Sequence, residues 1–412
     1  MNVPFLILVF KEPIISNSTI ESLNHFIVAL YLKAKKLAEL NAFATQFFVM
    51  DLITNTYLKF MKNISVTPYL SLISRYRTPL MGFAILWVVF FHLPYELSSG
   101  VPSFVKSIKS IGYGGVDIFL FLSGFGLYYS LSKNDFNLRE YYRSRFTRIL
   151  PEFWVVLLLF FISNMDFSPR SFYNLICKAT TLGYWVRGYG IPFTLWYISS
   201  IIGFYAVYPF FFKKFKEYGI SMAIKSIIAA LALIMIYALI AVYVFDNRNF
   251  GGLLILTISR IPVFIIGTIF GYATKNNINF TLSPIKIVLI LFSVVIAALS
   301  LPIFFIFFKD YLWTCSLYFL PFIILTPALC VIICIIISKK KFLSSMLVPF
   351  GTISLELYLF HEYFFEKLFG YLSTSFNQII ASLLLVGLSI VCACILYFIN
   401  NKYLTRWFNR VW

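Results

Sequence analysis

The chain has 412 residues, of which 60% are hydrophobic, 20% aromatic and only 12% charged. A soluble globular chain carries about 25% charged residues, so this composition excludes a water-exposed surface and predicts one polytopic membrane unit, not two or three soluble domains. The net charge of +18 does not imply nucleic acid. Its basic residues sit in short clusters between apolar runs, and none is part of a basic segment long enough to fold alone. That placement suits topology signals and contact with membrane lipids or phosphate.

In chain order, residues 1–70 read as an N-terminal extension. Polar patches (KEPIISNSTIESLN, KAKKLAELN) interrupt two modest apolar runs, without the pattern of a signal peptide. Met61 opens MKNISVTPYLSLISRYRTPLMGF and is a second candidate start, so residues 1–60 are either a misassigned upstream extension or a peripheral amphipathic segment. Residues 71–402 form the membrane domain, and 403–412 a basic cytoplasmic tail. A membrane helix needs about 20 mainly apolar residues. Ten candidates lie near 80–97, 115–131, 150–165, 193–212, 222–245, 254–274, 286–308, 312–337, 347–369 and 378–399, the third and sixth short or broken. Lys and Arg concentrate in alternate connections, after the second, fourth, sixth, eighth and tenth segments. The first of these holds Lys133, Arg139, Arg143, Arg145 and Arg148. By the positive-inside rule the fold is an all-α bundle of about ten transmembrane helices with both termini cytoplasmic.

Six cysteines are present, five of them within apolar runs, with no zinc-type spacing. They read as packing residues, and no metal site is expected.

Only three histidines occur, and two fall in apolar segments: His92 in GFAILWVVFFHLPYEL and His361 in GTISLELYLFHEYFF. At 1.5 Å per residue they lie roughly 18 Å and 21 Å along outward-running helices, at similar depth on segments far apart in sequence. Polar groups in lipid are costly and commonly functional; the bland alternative is a pair of satisfied structural histidines. Asp117 follows three glycines in GYGGVDIFLFLSGF. It would orient a histidine, accept hydrogen bonds from a sugar, or simply favour the first turn of its helix. Arg260 is the lone charge of an apolar helix and calls for a carboxylate or a substrate oxygen. Trp196 and Tyr197 suit stacking on a sugar ring or an aromatic belt. On the cytoplasmic side, Arg143, Arg145 and Arg148 precede Pro151, which is expected to help start a helix. Arginines there would make a phosphate site, or a topology signal in contact with lipid.

These residues carry a resemblance. The segments GFAILWVVFFH, GGVDIFLFLSGF, RSRFTRILPEFW, LWYISSIIGFYAVYP, SRIPVFIIGTIFGY and ISLELYLFH occur in the order found in the bacterial integral-membrane O-acyltransferases of the acyltransferase-3 family, and the similarity covers about residues 75–400. It implies transfer of an acyl group, acetyl in the first instance, from acyl-CoA to a hydroxyl of a surface polysaccharide or its lipid-linked precursor. His92, Asp117, His361 and Arg260 would be catalytic. Arg143, Arg145 and Arg148 would bind acetyl-CoA, which is a donor substrate; no permanently bound cofactor is implied. Trp196, Tyr197 and Glu356 would contact substrate. Two features depart from the family. Its usual arginine eleven residues before the first histidine is Met81, with Arg77 one turn earlier, and the acidic residues often found after LW are Ile201 and Ile202, with Glu356, Glu362 or Glu152 as substitutes. The rival readings are a polysaccharide or lipid-linked sugar flippase, which broken helices also suit, and a non-catalytic scaffold.

Overall fold

The computed structural model describes residues 28–29, 64–65, 67–94, 101–132, 137–187, 196–243, 254–278, 281–307 and 317–404. The chain divides into two units, residues 1–64 with 282–287 and residues 65–281 with 288–412. The helices that carry the site belong to the second. The expected N-terminal extension and basic tail lie almost wholly outside the described residues.

The architecture is all-α. The elements are β1 (Ile64–Ser65), α1 (Thr67–Arg75), α2 (Arg77–His92), α3 (Ser103–Ser110), α4 (Gly114–Leu131), α5 (Leu138–Ser163), α6 (Pro169–Ala179), α7 (Leu182–Arg187), α8 (Trp196–Tyr243), α9 (Leu254–Ile258), α10 (Ile261–Lys275), β2 (Thr281–Leu282), α11 (Pro284–Phe307), α12 (Phe322–Lys339), α13 (Lys341–Thr352), α14 (Ser354–Ser375) and α15 (Gln378–Ile399). The two strands are two residues each. Among the described residues six helices are long and apolar enough to cross a membrane, or seven if the bent pair α13 and α14 is one span. The expected ten is reached only by also counting the two sides of a break in α8, and the shorter helices α2 and α11, as spans.

Helix α4 is the hub. It is apolar on every side, and fourteen of its 18 residues are buried, as expected of a helix enclosed by others. Helix α10 lies against it through Gly267 and Gly271, spaced as in the small-residue motif of membrane helix pairs. A Cβ on either glycine would strike the carbonyl of Phe121 or Phe125. Helix α2 meets α13 in the same way, with Gly82 and Gly351 each set against the other helix's backbone. At the periphery, α11 exposes Leu289, Phe292 and Leu299, and α15 exposes Leu383, Val391 and Ile395. Such faces suit hydrocarbon, where the backbone polar groups must be satisfied within the helix.

Three breaks differ from the sequence reading. Helix α8 runs through both the fourth and fifth expected segments, interrupted at Gly219 (φ 65°, ψ −150°), a backbone shape that glycine adopts without steric cost. Helices α13 and α14 meet at a 70° bend. Helix α5 begins at Leu138, not near Pro151. The Asn137 side chain caps it, accepting from the backbone N–H groups of Arg139 and Glu140, and Pro151 lies inside it. The arginine cluster therefore occupies the body of a helix. The helix-terminus phosphate site expected there is not formed.

Candidate active site

Helices α2 and α14 bring the two histidines together. Nε2 of His361 lies 3.4 Å from Nδ1 of His92, and the ring centroids are 5.0 Å apart. Nδ1 of His92 also lies 3.0 Å from the Val88 carbonyl, and Nδ1 of His361 lies 3.1 Å from the Leu357 carbonyl. A carbonyl oxygen only accepts, so the proton of each neutral ring sits on Nδ1. The one Nδ1–H of His92 is then shared between the Val88 carbonyl and Nε2 of His361, and Nε2 of His92 keeps a lone pair. His361 is fully buried, whereas His92 is partly exposed. His92 is thus the more exposed ring, with His361 packed behind it.

A cavity of about 490 Å³ opens further along the same helices. Its polar wall contains Arg77 of α2, Arg145 and Arg148 of α5, and Glu356 of α14; Met81 and Tyr197 also line it. Arg143 does not. The Arg77 guanidinium lies against Gly126 of α4, and among the described residues the buried Nε atoms of Arg77 and Arg145 make no hydrogen bond. Arg145 also lies over the rings of Tyr141 and Tyr205, at 5.9 Å and 6.0 Å. Glu152 and Glu356 adjoin Arg148 at the same wall, and the Asn400 amide donates to Glu152. The wall thus sets three guanidinium groups, whose forks of donors match phosphate oxygens, beside two glutamate side chains.

Asp117 and Arg260 lie elsewhere. They form an ion pair, Oδ1 to Nε 3.4 Å, with both side chains at most 1% exposed. Arg260 also donates from Nη1 to the Leu256 carbonyl at 3.0 Å, and lies between the rings of Trp196 (4.7 Å) and Phe319 (3.7 Å). The partner that Arg260 required is thus a carboxylate, and the partner of Asp117 is not a histidine. Trp196 is 5% exposed and belongs neither to an aromatic belt nor to an open sugar platform; it covers the guanidinium. Tyr197 instead faces the cavity and packs edge-on against Tyr358.

Comparison with known proteins then places the chain. The family profile Acyl_transf_3, described as an acyltransferase domain, matches residues 80–398, well over half of the sequence and nearly all of the helices above. The chain belongs to the acyltransferase-3 family. No curated protein and no solved structure matches it.

In this membrane acyltransferase the Met81 departure has a structural answer. Met81 and Arg77 line the same cavity one turn apart on α2, so a guanidinium does reach that wall. Two side chains at the cavity carried no weight in the sequence reading. Tyr358 stands three residues before His361, and that i, i+3 spacing could have singled it out. Tyr205 faces Arg145 across two helices, and nothing local in the sequence marks it.

Proposed function

We propose that this acyltransferase moves an acetyl group from acetyl-CoA to a hydroxyl of a cell-surface polysaccharide or its lipid-linked precursor, in the cytoplasmic membrane of a bacterial cell. The observation that carries the proposal is the shared placement of an arginine-lined cavity and a histidine pair on α2 and α14. The phosphates of acetyl-CoA would rest on Arg145, Arg148 and Arg77, approached from the cytoplasm, and the thioester would extend toward His92. Nε2 of His92 would take the hydroxyl proton as the acceptor oxygen attacks the thioester carbonyl carbon. A C–O bond forms, the C–S bond breaks, and the proton passes from His92 to the departing CoA sulfur. His361 would act as a positioning residue, since its Nε2 accepts from Nδ1 of His92 and steadies the charge that the ring acquires. Asp117 and Arg260 would hold α4 against the α9–α10 break, outside the reacting atoms.

Membership of an acyltransferase family favours group transfer over translocation of an intact glycan. The test is to incubate membranes containing the protein with acetyl-CoA labelled in the acetyl group. Base-labile label in the glycan fraction that disappears in His92→Ala supports the reading. Glycan that crosses the membrane unlabelled, independently of acetyl-CoA, would favour a flippase.

A further inference from the structure

Three aromatic side chains line the cavity at the end nearer the histidines. Phe119 is the last α4 residue lining it in the direction of Asp117. Tyr197 holds that position on α8, toward Trp196, and Tyr358 holds it on α14, toward His361. Their rings touch in series. Centroids are 6.1 Å apart for Phe119 and Tyr197, 5.1 Å for Tyr197 and Tyr358, and 5.6 Å for Tyr358 and His361. None is more than 8% exposed. A thioester attached to phosphates held at Arg145 and Arg148 would reach His92 only by passing between these rings.

We infer that Phe119, Tyr197 and Tyr358 form a collar that sets the length of the transferred chain and restricts the donor to short-chain acyl-CoA. The inference rests on the acyl-transfer reading above and adds the feature that selects among donors. Packed interiors contain few voids, and extra methylenes forced into a well-filled site displace side chains and backbone. Each ring comes from a different helix, so the wall cannot yield by the shift of one element. Nearer the arginines the lining mixes small polar residues, such as Ser123 and Thr147, with Tyr205 and Tyr397, and among the described residues no series of ring contacts to the histidines is formed there.

The test is binding of S-ethyl-, S-butyl- and S-hexyl-CoA, thioethers that cannot transfer their chain, to the full chain in nanodiscs. Within each protein the readout is the ratio of affinities, so a general loss of affinity does not enter. The wild type is expected to favour the ethyl over the hexyl compound by on the order of ten-fold or more. Phe119→Ala and Tyr358→Ala are expected to bring that ratio to within about three-fold. Equal binding of all three by the wild type would overturn the collar, as would full discrimination retained in both variants. Should a variant fail to fold, Phe119→Leu replaces it, and the wild-type series decides without any variant. Failure of the wild type to bind CoA itself would instead overturn the donor assignment, and the collar with it.

Discussion

Asp117 and Arg260 face each other at 3.4 Å in a place where neither side chain is more than 1% exposed. Arg260 also lies against the rings of Trp196 and Phe319, and this burial favours a role in helix packing over contact with substrate. Removing one member strands the other, which costs about 3–5 kcal/mol for a buried pair. Asp117→Asn and Arg260→Met should each lower the thermal midpoint of the protein, and the double variant should recover part of the loss. An Arg260→Met protein with unchanged thermal stability and no transfer activity would contradict this role and return Arg260 to the chemistry.

The histidines should separate by role. His92→Ala removes the base and should lower the transfer rate on the order of 10²- to 10⁴-fold. His361→Ala should lower kcat with little change in KM for acetyl-CoA. His361→Gln, whose amide oxygen can reach the position of Nε2 and accept the same hydrogen bond, should keep more activity than His361→Ala. Equal loss in the glutamine and alanine variants would contradict a positioning role for His361.

Charge removal at the cavity should act on the donor. A charge-assisted hydrogen bond contributes about 1.5–3 kcal/mol, so Arg145→Ala/Arg148→Ala should weaken acetyl-CoA binding on the order of 100-fold or more. Thermal stability should fall far less than for the Asp117 and Arg260 variants. Binding measured by isothermal calorimetry that matches the wild type would remove these arginines from the donor site.

The close contact of α4 and α10 can be tested in the same way. A side chain at Gly267 would collide with the Phe121 backbone, whereas one at Gly387 would meet nothing within 4 Å. Gly267→Leu should abolish folded yield in membranes, and Gly387→Leu should leave it near the wild type. Normal yield of Gly267→Leu would mean that the helices do not pack this closely.

Much of the bundle was legible because lipid demands long apolar helices, and that demand is written locally. Among the described residues the expected apolar segments are largely helical, though those near 254–274 and 347–369 are each divided between two helices. The two histidines, singled out as polar rings in apolar segments, do lie side by side, although the count for His361 ran from Leu347 through the bend between α13 and α14. What local sequence does not contain is the rotation and register of one helix against another. Asp117 was free in sequence to serve a histidine or Arg260, and only the packing of α4 on α9 and α10 selects the arginine. Trp196 reads as a surface aromatic until Arg260 lies beneath it. The start of α5 was misread because Pro151 commonly marks a first turn. Here the stronger signal was Asn137 with Glu140 three residues later, a capping pattern on a polar stretch.

The most direct test of the central claim is mass spectrometry of surface polysaccharide from cells that lack the protein, carry the wild type, or carry His92→Ala. The account predicts acetyl mass increments, removable by mild base, in the wild type alone. The same ester content in all three strains would contradict it.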